Sequence, residues 1–115
     1  MRRHSPYLLC AALAAWCVAG GCSEPRGPLS VKSDDPDLKI PAIKQDVRQR
    51  NTRDTAQMVK DLNDDDPAVR FYAIEGLRRL TGQTFDYHYY DDPDQRQPAI
   101  KRWRQWLAQQ SATKK

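Results

Sequence analysis

The sequence predicts an all-α fold, a short stack of about four helices. Between Pro41 and Leu107, apolar residues recur at intervals of three and four, which is the period of a helix buried on one face. Pro and Gly stand where helices would begin and end. No stretch alternates apolar and polar side chains as a half-buried strand would. We therefore expect neither an all-β nor a mixed α/β architecture.

The first 21 residues have the order of a secretory signal peptide. Residues 1–4 are short and positive, residues 8–19 are apolar, and Gly20 and Gly21 precede Cys22. The apolar run is shorter than the roughly 20 residues that span a bilayer comfortably. We therefore expect residues 1–21 to direct export and then to be removed.

The segment 18–22, VAGGC, resembles a bacterial lipobox, with Ala19 where Leu is usual. The resemblance implies that Cys22 becomes the acylated first residue of a lipoprotein, carrying palmitate-type chains. Several chains would anchor the protein to a membrane of the bacterial cell envelope, inner or outer. The alternative is an ordinary signal peptide or an uncleaved anchor, in which Cys22 is incidental.

The remaining chain is nearly balanced in charge and has no disulfide partner for Cys22. Of 19 basic residues, Arg2 and Arg3 lie in the signal, which leaves 17 against 15 acidic residues. That excess is too small for the broad basic field of a nucleic-acid-binding protein. Cys10 and Cys17 also lie in the signal. A small exported domain without disulfides must depend on helix packing or on a partner.

Residues 22–37 are rich in Pro, Ser, Gly and charge and predict a lipidated, flexible tether. The folded domain is expected over residues 38–110 and a disordered tail over 111–115. A first helix is predicted over 41–50, with Pro41 at its first position. A second is predicted over 52–63, with Thr52 as its N-cap. The apolar face of the second helix consists of Thr55, Met58, Val59 and Leu62.

The third helix has the clearest signals. Asp66 is an N-cap, Pro67 opens the helix, and Gly82 follows its last turn. Because the helix is apolar on two sides, we expect neighbours on both. One apolar stripe contains Val69, Ala73, Leu77 and Leu80, and Phe71 and Ile74 lie to the other side.

A long polar and aromatic segment over 81–97 separates this helix from a last one over 98–110. An earlier start at Asp92-Pro93, with a break at Pro98, is left open by the sequence. Ala99, Ile100, Trp103, Trp106 and Leu107 share one face of the last helix. Trp103 and Trp106 are therefore expected in the core rather than as a ligand-stacking pair.

The stretch 62–80, LNDDDPAVRFYAIEGLRRL, combines an Asp-rich turn, a proline that starts a helix and apolar residues that pack a helix pair. It resembles a HEAT repeat of the short kind found in bacterial proteins. In that family an Asp of the turn pairs with the following Arg between repeats, which implies a pairing of Asp64 with Arg70. The positions that define the repeat here are Asp64, Asp66, Pro67, Val69, Arg70, Ala73, Leu77 and Leu80, and Leu62 also matches.

Two further segments, 80–87 and 102–107, are similar to the tail of small planctomycete-type HEAT-repeat proteins. Asp86 departs from the family pattern, which has Gly after the Phe. Repeat arrays usually need about three units, and this chain offers at most two helix pairs. The tyrosine-rich loop and the Trp helix are therefore expected to cap the stack.

Within that loop, Tyr87, Tyr89 and Tyr90 are candidate partner-binding residues, because aromatic side chains anchor interfaces. The alternative is a loop folded over the exposed end of the core. His88 has no nearby His or Cys to complete a zinc site. The Asp-rich turn does not fit a calcium loop, since Val69 stands where that loop requires Gly.

The sequence contains no Ser/His/Asp or Cys/His set, so we expect no enzyme, no metal and no small-molecule cofactor. The favoured hypothesis is a non-catalytic protein-interaction or scaffold module, anchored by lipid at the bacterial envelope. A second hypothesis is a structural subunit that self-associates through the open edge of an incomplete stack. A third is a ligand-binding lipoprotein that uses the tyrosine-rich loop.

Overall fold

A computed structural model describes residues 27–114, and within them the fold is all-α. It contains four helices and no strand in that range: α1 (Pro36–Gln49), α2 (Thr55–Asp61), α3 (Pro67–Thr81) and α4 (Pro93–Thr113). The all-α prediction is therefore confirmed. The predicted signal over 1–21 and the predicted lipidation site Cys22 lie outside the described residues.

α1 begins earlier than predicted. Pro36, not Pro41, is its first residue, and the carboxylate of Asp35 caps it by accepting from the Asp37 backbone N–H at 2.9 Å. An Asp followed by Pro favours a helix start, and Asp35-Pro36 outweighs Pro41, which lies inside the helix. Val31, in the segment predicted as tether, is only 5% exposed and belongs to the core. The end of that segment thus packs with the helices.

α2 is shorter than predicted, and the predicted N-cap is wrong. It begins at Thr55, whose hydroxyl donates to the backbone oxygen of Thr52 at 2.9 Å. Asp54 occupies the cap position without a side-chain cap bond. The predicted apolar face is buried at Met58, Val59 and Leu62. Packing of this face, more than capping, stabilises so short a helix.

α3 has the predicted limits. Asp66 caps it by accepting from the Ala68 backbone N–H at 2.7 Å, and Gly82 ends it with φ of 77°. That left-handed conformation favours Gly at the end of a helix. Ile74 is buried, but Phe71 on the same side is 38% exposed, so that side of α3 is only partly covered.

α4 extends at both ends beyond the prediction. It begins at Pro93, which settles the alternative in favour of the earlier start, and Pro98 lies inside the helix rather than at a break. Proline there removes one backbone hydrogen bond, while Ala99, Ile100 and Trp103 are buried just beyond it. The helix runs through Thr113, into the segment predicted as a disordered tail.

α3 packs against both α1 and α2, and α4 packs against α2. Trp103, Met58, Leu62, Leu77 and Ile100 are fully buried among these helices. Trp106 packs on the core edge-to-face with Trp103, at 5.6 Å between ring centroids. Both tryptophans therefore serve the core, as expected. Over residues 27–114, none of the helices has the length and apolar character needed to cross a membrane.

Candidate interaction surface

A buried cation joins α1, α2 and the turn that follows α2. Lys39 is 5% exposed, and its Nζ donates to Asp61 Oδ1 at 3.0 Å and to Asp64 Oδ2 at 3.2 Å. Burial opposes the charge on Lys39, but the two carboxylates outweigh it and raise the pKa of Lys39. Burial also raises the pKa of Asp61, and Lys39 and Gln57 offset that effect only in part. The Lys39 ammonium is thus the chief compensation for a carboxylate buried in the core.

Arg70 binds the same turn from the α3 side. Its Nη1 donates to the backbone oxygens of Asp64 at 2.7 Å and Asp65 at 2.9 Å, and its Nε donates to the backbone oxygen of Tyr89 at 2.9 Å. Arg70 and Asp64, which the sequence predicted as a pair, are thus in contact, but through the backbone oxygen of Asp64 and not through its carboxylate. The Asp64 carboxylate accepts from Lys39 instead. The Arg70 guanidinium donates to the Asp64 and Asp65 carbonyls, which have no backbone hydrogen-bond partner in the turn.

The loop between α3 and α4 is held against this turn by Tyr87. Tyr87 is 5% exposed, and its hydroxyl donates to the backbone oxygen of Leu62, which also accepts from Arg96 Nη1 at 3.2 Å. Burial raises the pKa of Tyr87, so the phenol stays protonated as a donor. Of the three candidate partner-binding tyrosines, Tyr87 is thus part of the core and unavailable to a partner.

A tight turn precedes Tyr87. Phe85 and Asp86 both have positive φ, of 49° and 59°. Asp is among the residues that tolerate this left-handed conformation, so Asp86 can occupy the turn without Gly. Phe85 packs edge-to-face on Trp103 at 4.8 Å, and Trp103 Nε1 donates to the backbone oxygen of Thr84 at 3.2 Å. These contacts hold the strained turn in place.

Beyond Tyr87, aromatic rings form a continuous series at the surface, which we call the aromatic ladder: Tyr72, Phe71, Tyr89, Tyr90 and His88. Successive ring centroids lie 5.2, 5.2, 5.3 and 5.4 Å apart. The first three contacts are edge-to-face, and the His88 and Tyr90 rings are stacked. Tyr90 is 69% exposed and Phe71 38%. The ladder is therefore an aromatic surface of rings in mutual contact that is partly open to solvent.

One end of the ladder forms a wall of a groove between α1 and α3, which we call the α1–α3 groove. The groove has a volume of about 210 Å³. Its apolar lining comprises Ile43, Val47, Phe71, Tyr72 and Gly76, and its charged lining comprises Lys44, Arg48, Glu75 and Arg79.

Gly76 sets the depth of the groove. A Cβ added to Gly76 would lie 3.1 Å from Ile43 Cγ2 and 3.2 Å from Met58 Sδ. The backbone of α3 therefore approaches α1 closely at this point. The Lys44 ammonium lies 5.1 Å from the centroid of the Tyr72 ring, where a cation and an aromatic face attract.

An acidic pair, buried Asp46 and half-buried Asp54, lies near the C-terminal end of α1. Asp46 is 7% exposed; its Oδ1 accepts from Asn51 Nδ2 at 2.7 Å, and its Oδ2 has no hydrogen-bond partner. Burial and, less strongly, the Asp54 carboxyl raise the pKa of Asp46, against the opposing Asn51 bond. Among residues 27–114, no group of three or more His, Cys, Asp or Glu is placed to hold a metal ion. Because the pKa of the Asp46 carboxyl is raised, folding favours its protonated form.

The surface thus differs from the one predicted. Tyr89 and Tyr90 lie in it, Tyr87 does not, and Phe71 and Tyr72 of α3 join it. One feature of the sequence indicates this extension, since Phe71 lies off the main apolar stripe of α3. No family model matches the chain, and neither a curated protein nor a solved structure is significantly similar to it.

Proposed function

We propose that the chain is a non-catalytic protein-interaction module of HEAT-like architecture, held at the face of a bacterial envelope membrane by lipid on Cys22. The observation that carries the proposal is the exposed aromatic ladder next to the α1–α3 groove. Ligand binding by the tyrosine-rich loop alone is a weaker idea, since Tyr87 is buried.

The composition of this surface supports protein binding. Aromatic residues and Arg are enriched where partners bind most strongly. Aromatic rings bury large areas at small entropic cost, and Arg adds charge and several hydrogen-bond donors. Tyr90 and Phe71 expose their rings, while edge-to-face contacts with Tyr89 keep both in place. Side chains that are already ordered lose little freedom on binding.

The HEAT-like part of the proposal rests on α2, the Asp-rich turn and α3. Asp66 caps α3, Pro67 opens it, and Val69, Ala73 and Leu77 are buried against the neighbouring helices. These are the roles that the resembled repeat assigns to the same positions. The Arg70 side chain still binds the turn, through backbone oxygens instead of a carboxylate.

Self-association is a second candidate, favoured by an open cavity elsewhere on the stack. The cavity has a volume of about 530 Å³ and is bounded by the start of α2 and the ends of α3 and α4. Leu80, Trp106 and Leu107 line it and are only half-buried. A second copy that covered these side chains would extend the stack.

Photo-crosslinking in the cells that produce the protein tests the first candidate. A photoreactive phenylalanine analogue replaces Tyr90 in the ladder or, as the control, exposed Gln109 on α4, and crosslinked products are identified by mass spectrometry. The proposal predicts one or a few defined proteins crosslinked from position 90 and not from position 109. Equal products from both positions would contradict it, and crosslinks only between copies of the chain would favour self-association.

A further inference from the structure

The lining of the α1–α3 groove contains more cationic than acidic side chains. Its lining contains three cations, Lys44, Arg48 and Arg79, and one acid, Glu75. Glu75 is already bound by Arg78, with Arg78 Nη2 donating to Oε2 at 2.8 Å and Nε donating to Oε1 at 3.3 Å. The bond to Arg78 lowers the pKa of Glu75, so this carboxylate stays ionised and engaged.

The three cations of the lining are exposed. Within residues 27–114, the ion pairs formed by Lys and Arg involve Lys39 and Arg78, and none involves Lys44, Arg48 or Arg79. Three positive charges therefore line the same groove as the partly or fully exposed side chains of Val47, Phe71 and Tyr72, while Ile43 at its floor is buried. Such a site favours a partner that supplies negative charge around an apolar side chain.

From this charge pattern we propose that the α1–α3 groove binds an acidic segment of a partner protein. One apolar side chain of that segment enters the groove, and Asp or Glu residues on either side of it meet Lys44, Arg48 and Arg79. The proposal rests on the proposed function and specifies the partner's chemistry. It also assigns the two parts of the surface different roles, with the groove selecting charge and the ladder adding contact area.

A protein segment fits this site better than an anionic membrane surface does. The apolar part of the site is concave, and Ile43 at its floor is only 1% exposed. Apolar groups that enter a bilayer must protrude from the protein surface. A single side chain can enter a groove of about 210 Å³, whereas a lipid surface cannot follow it inward.

Peptide binding in solution tests the proposal. The protein is purified in a nonionic detergent as the cell makes it, and fluorescence anisotropy is recorded with three labelled peptides. They share a central Phe-Leu and are flanked by Asp and Glu, by Lys and Arg, or by Ser. We expect the acid-flanked peptide to bind at least about tenfold more tightly than either of the others.

Charge reversal locates the binding. Arg48→Glu/Arg79→Glu should lower the affinity for the acid-flanked peptide about tenfold. The control Lys101→Glu/Arg104→Glu makes the same change in net charge at exposed positions of α4 and should leave the affinity within about twofold. Circular dichroism establishes that each variant is folded before binding is measured.

No preference among the three peptides, or an equal loss in both double variants, would overturn the proposal. A second contradicting result concerns lipid. If short-chain phosphatidylglycerol bound more tightly than the acidic peptide, and its binding were lost in Arg48→Glu/Arg79→Glu, the groove would be a lipid site. The proposed function is judged separately. A partner crosslinked in cells from position 90, together with no charge preference, would leave the function standing and remove this inference.

Discussion

The surroundings of α3 differ on its two sides, although similar residue types occur on both. On the side of the α2–α3 turn, Arg70, Tyr87 and Lys39 direct their polar atoms to backbone oxygens or carboxylates and are largely removed from solvent. On the side of the aromatic ladder and the α1–α3 groove, the rings of Phe71 and Tyr90 are exposed to solvent. Arg79 there forms no ion pair among the described residues. The comparison teaches that aromatic and cationic residues stabilise the fold where they are buried and bonded, and are available for recognition where a ring is exposed or a cation is unpaired.

The largest effect is expected when the buried cation at the turn is removed by substitution. Lys39→Met leaves the Asp61 carboxylate in the core without its counter-ion, which should reduce the free energy of unfolding by about 3–5 kcal/mol. Urea unfolding followed by circular dichroism measures this change. Lys60→Met, at an exposed position one residue before Asp61, is the control and should change stability by less than about 0.5 kcal/mol.

A double variant sharpens this prediction. Lys39→Met/Asp61→Leu removes both charges, so it should recover much of the stability lost in Lys39→Met. If Lys39→Met alone were as stable as the original protein, the turn would not depend on its buried polar contacts. The proposed difference between a stabilising region at the α2–α3 turn and a recognition region at the groove would then be contradicted.

A smaller effect, of opposite sign, is expected at the acidic pair near the end of α1. Because the folded-state pKa of Asp46 is raised, its contribution to stability is present at acidic pH and is lost as the pH rises through that pKa. Asp46→Asn keeps an oxygen to accept from Asn51 and provides a donor toward Asp54. The variant should therefore have a higher melting temperature than the original protein near pH 7.

The pH dependence distinguishes this cause from a simple gain in packing. The advantage of Asp46→Asn should shrink as the pH falls and Asp46 of the original protein becomes protonated. Melting temperatures of the two proteins measured from pH 3 to pH 8 test it. A constant difference across that range, or a lower melting temperature for Asp46→Asn near pH 7, would contradict the explanation.

The sequence predicted α3 almost without error because its signals are local. Asp66, Pro67 and Gly82 act on the residues next to them, and each acts as expected. The same pair of residues at Asp35-Pro36 starts α1, but the polar composition around it predicted a tether instead. At Pro98 the local penalty against helix was overestimated, since burial of Ile100 and Trp103 just beyond it favours a continuous α4.

The interaction surface was less predictable because it depends on contacts between distant residues. Tyr87 and Tyr90 stand three residues apart in one loop with similar neighbours, and only the position of the Leu62 backbone oxygen separates their roles. Phe71 joins Tyr89 across 18 positions, a contact that no local pattern contains. The salt bridge of Lys39 with Asp61 likewise joins residues that are distant in the sequence.

The measurement that tests the central claim most directly compares Tyr87→Phe with Tyr90→Ser in two assays. One assay is urea unfolding, and the other is amine-reactive crosslinking in cells with mass spectrometry. Tyr87→Phe should lower the free energy of unfolding by about 1 kcal/mol, through loss of the hydroxyl bond to Leu62, and leave the crosslinked partner unchanged. Tyr90→Ser should leave stability within about 0.5 kcal/mol and abolish the partner crosslink. A Tyr90→Ser variant that retains the crosslink, or that loses as much stability as Tyr87→Phe, would contradict the account.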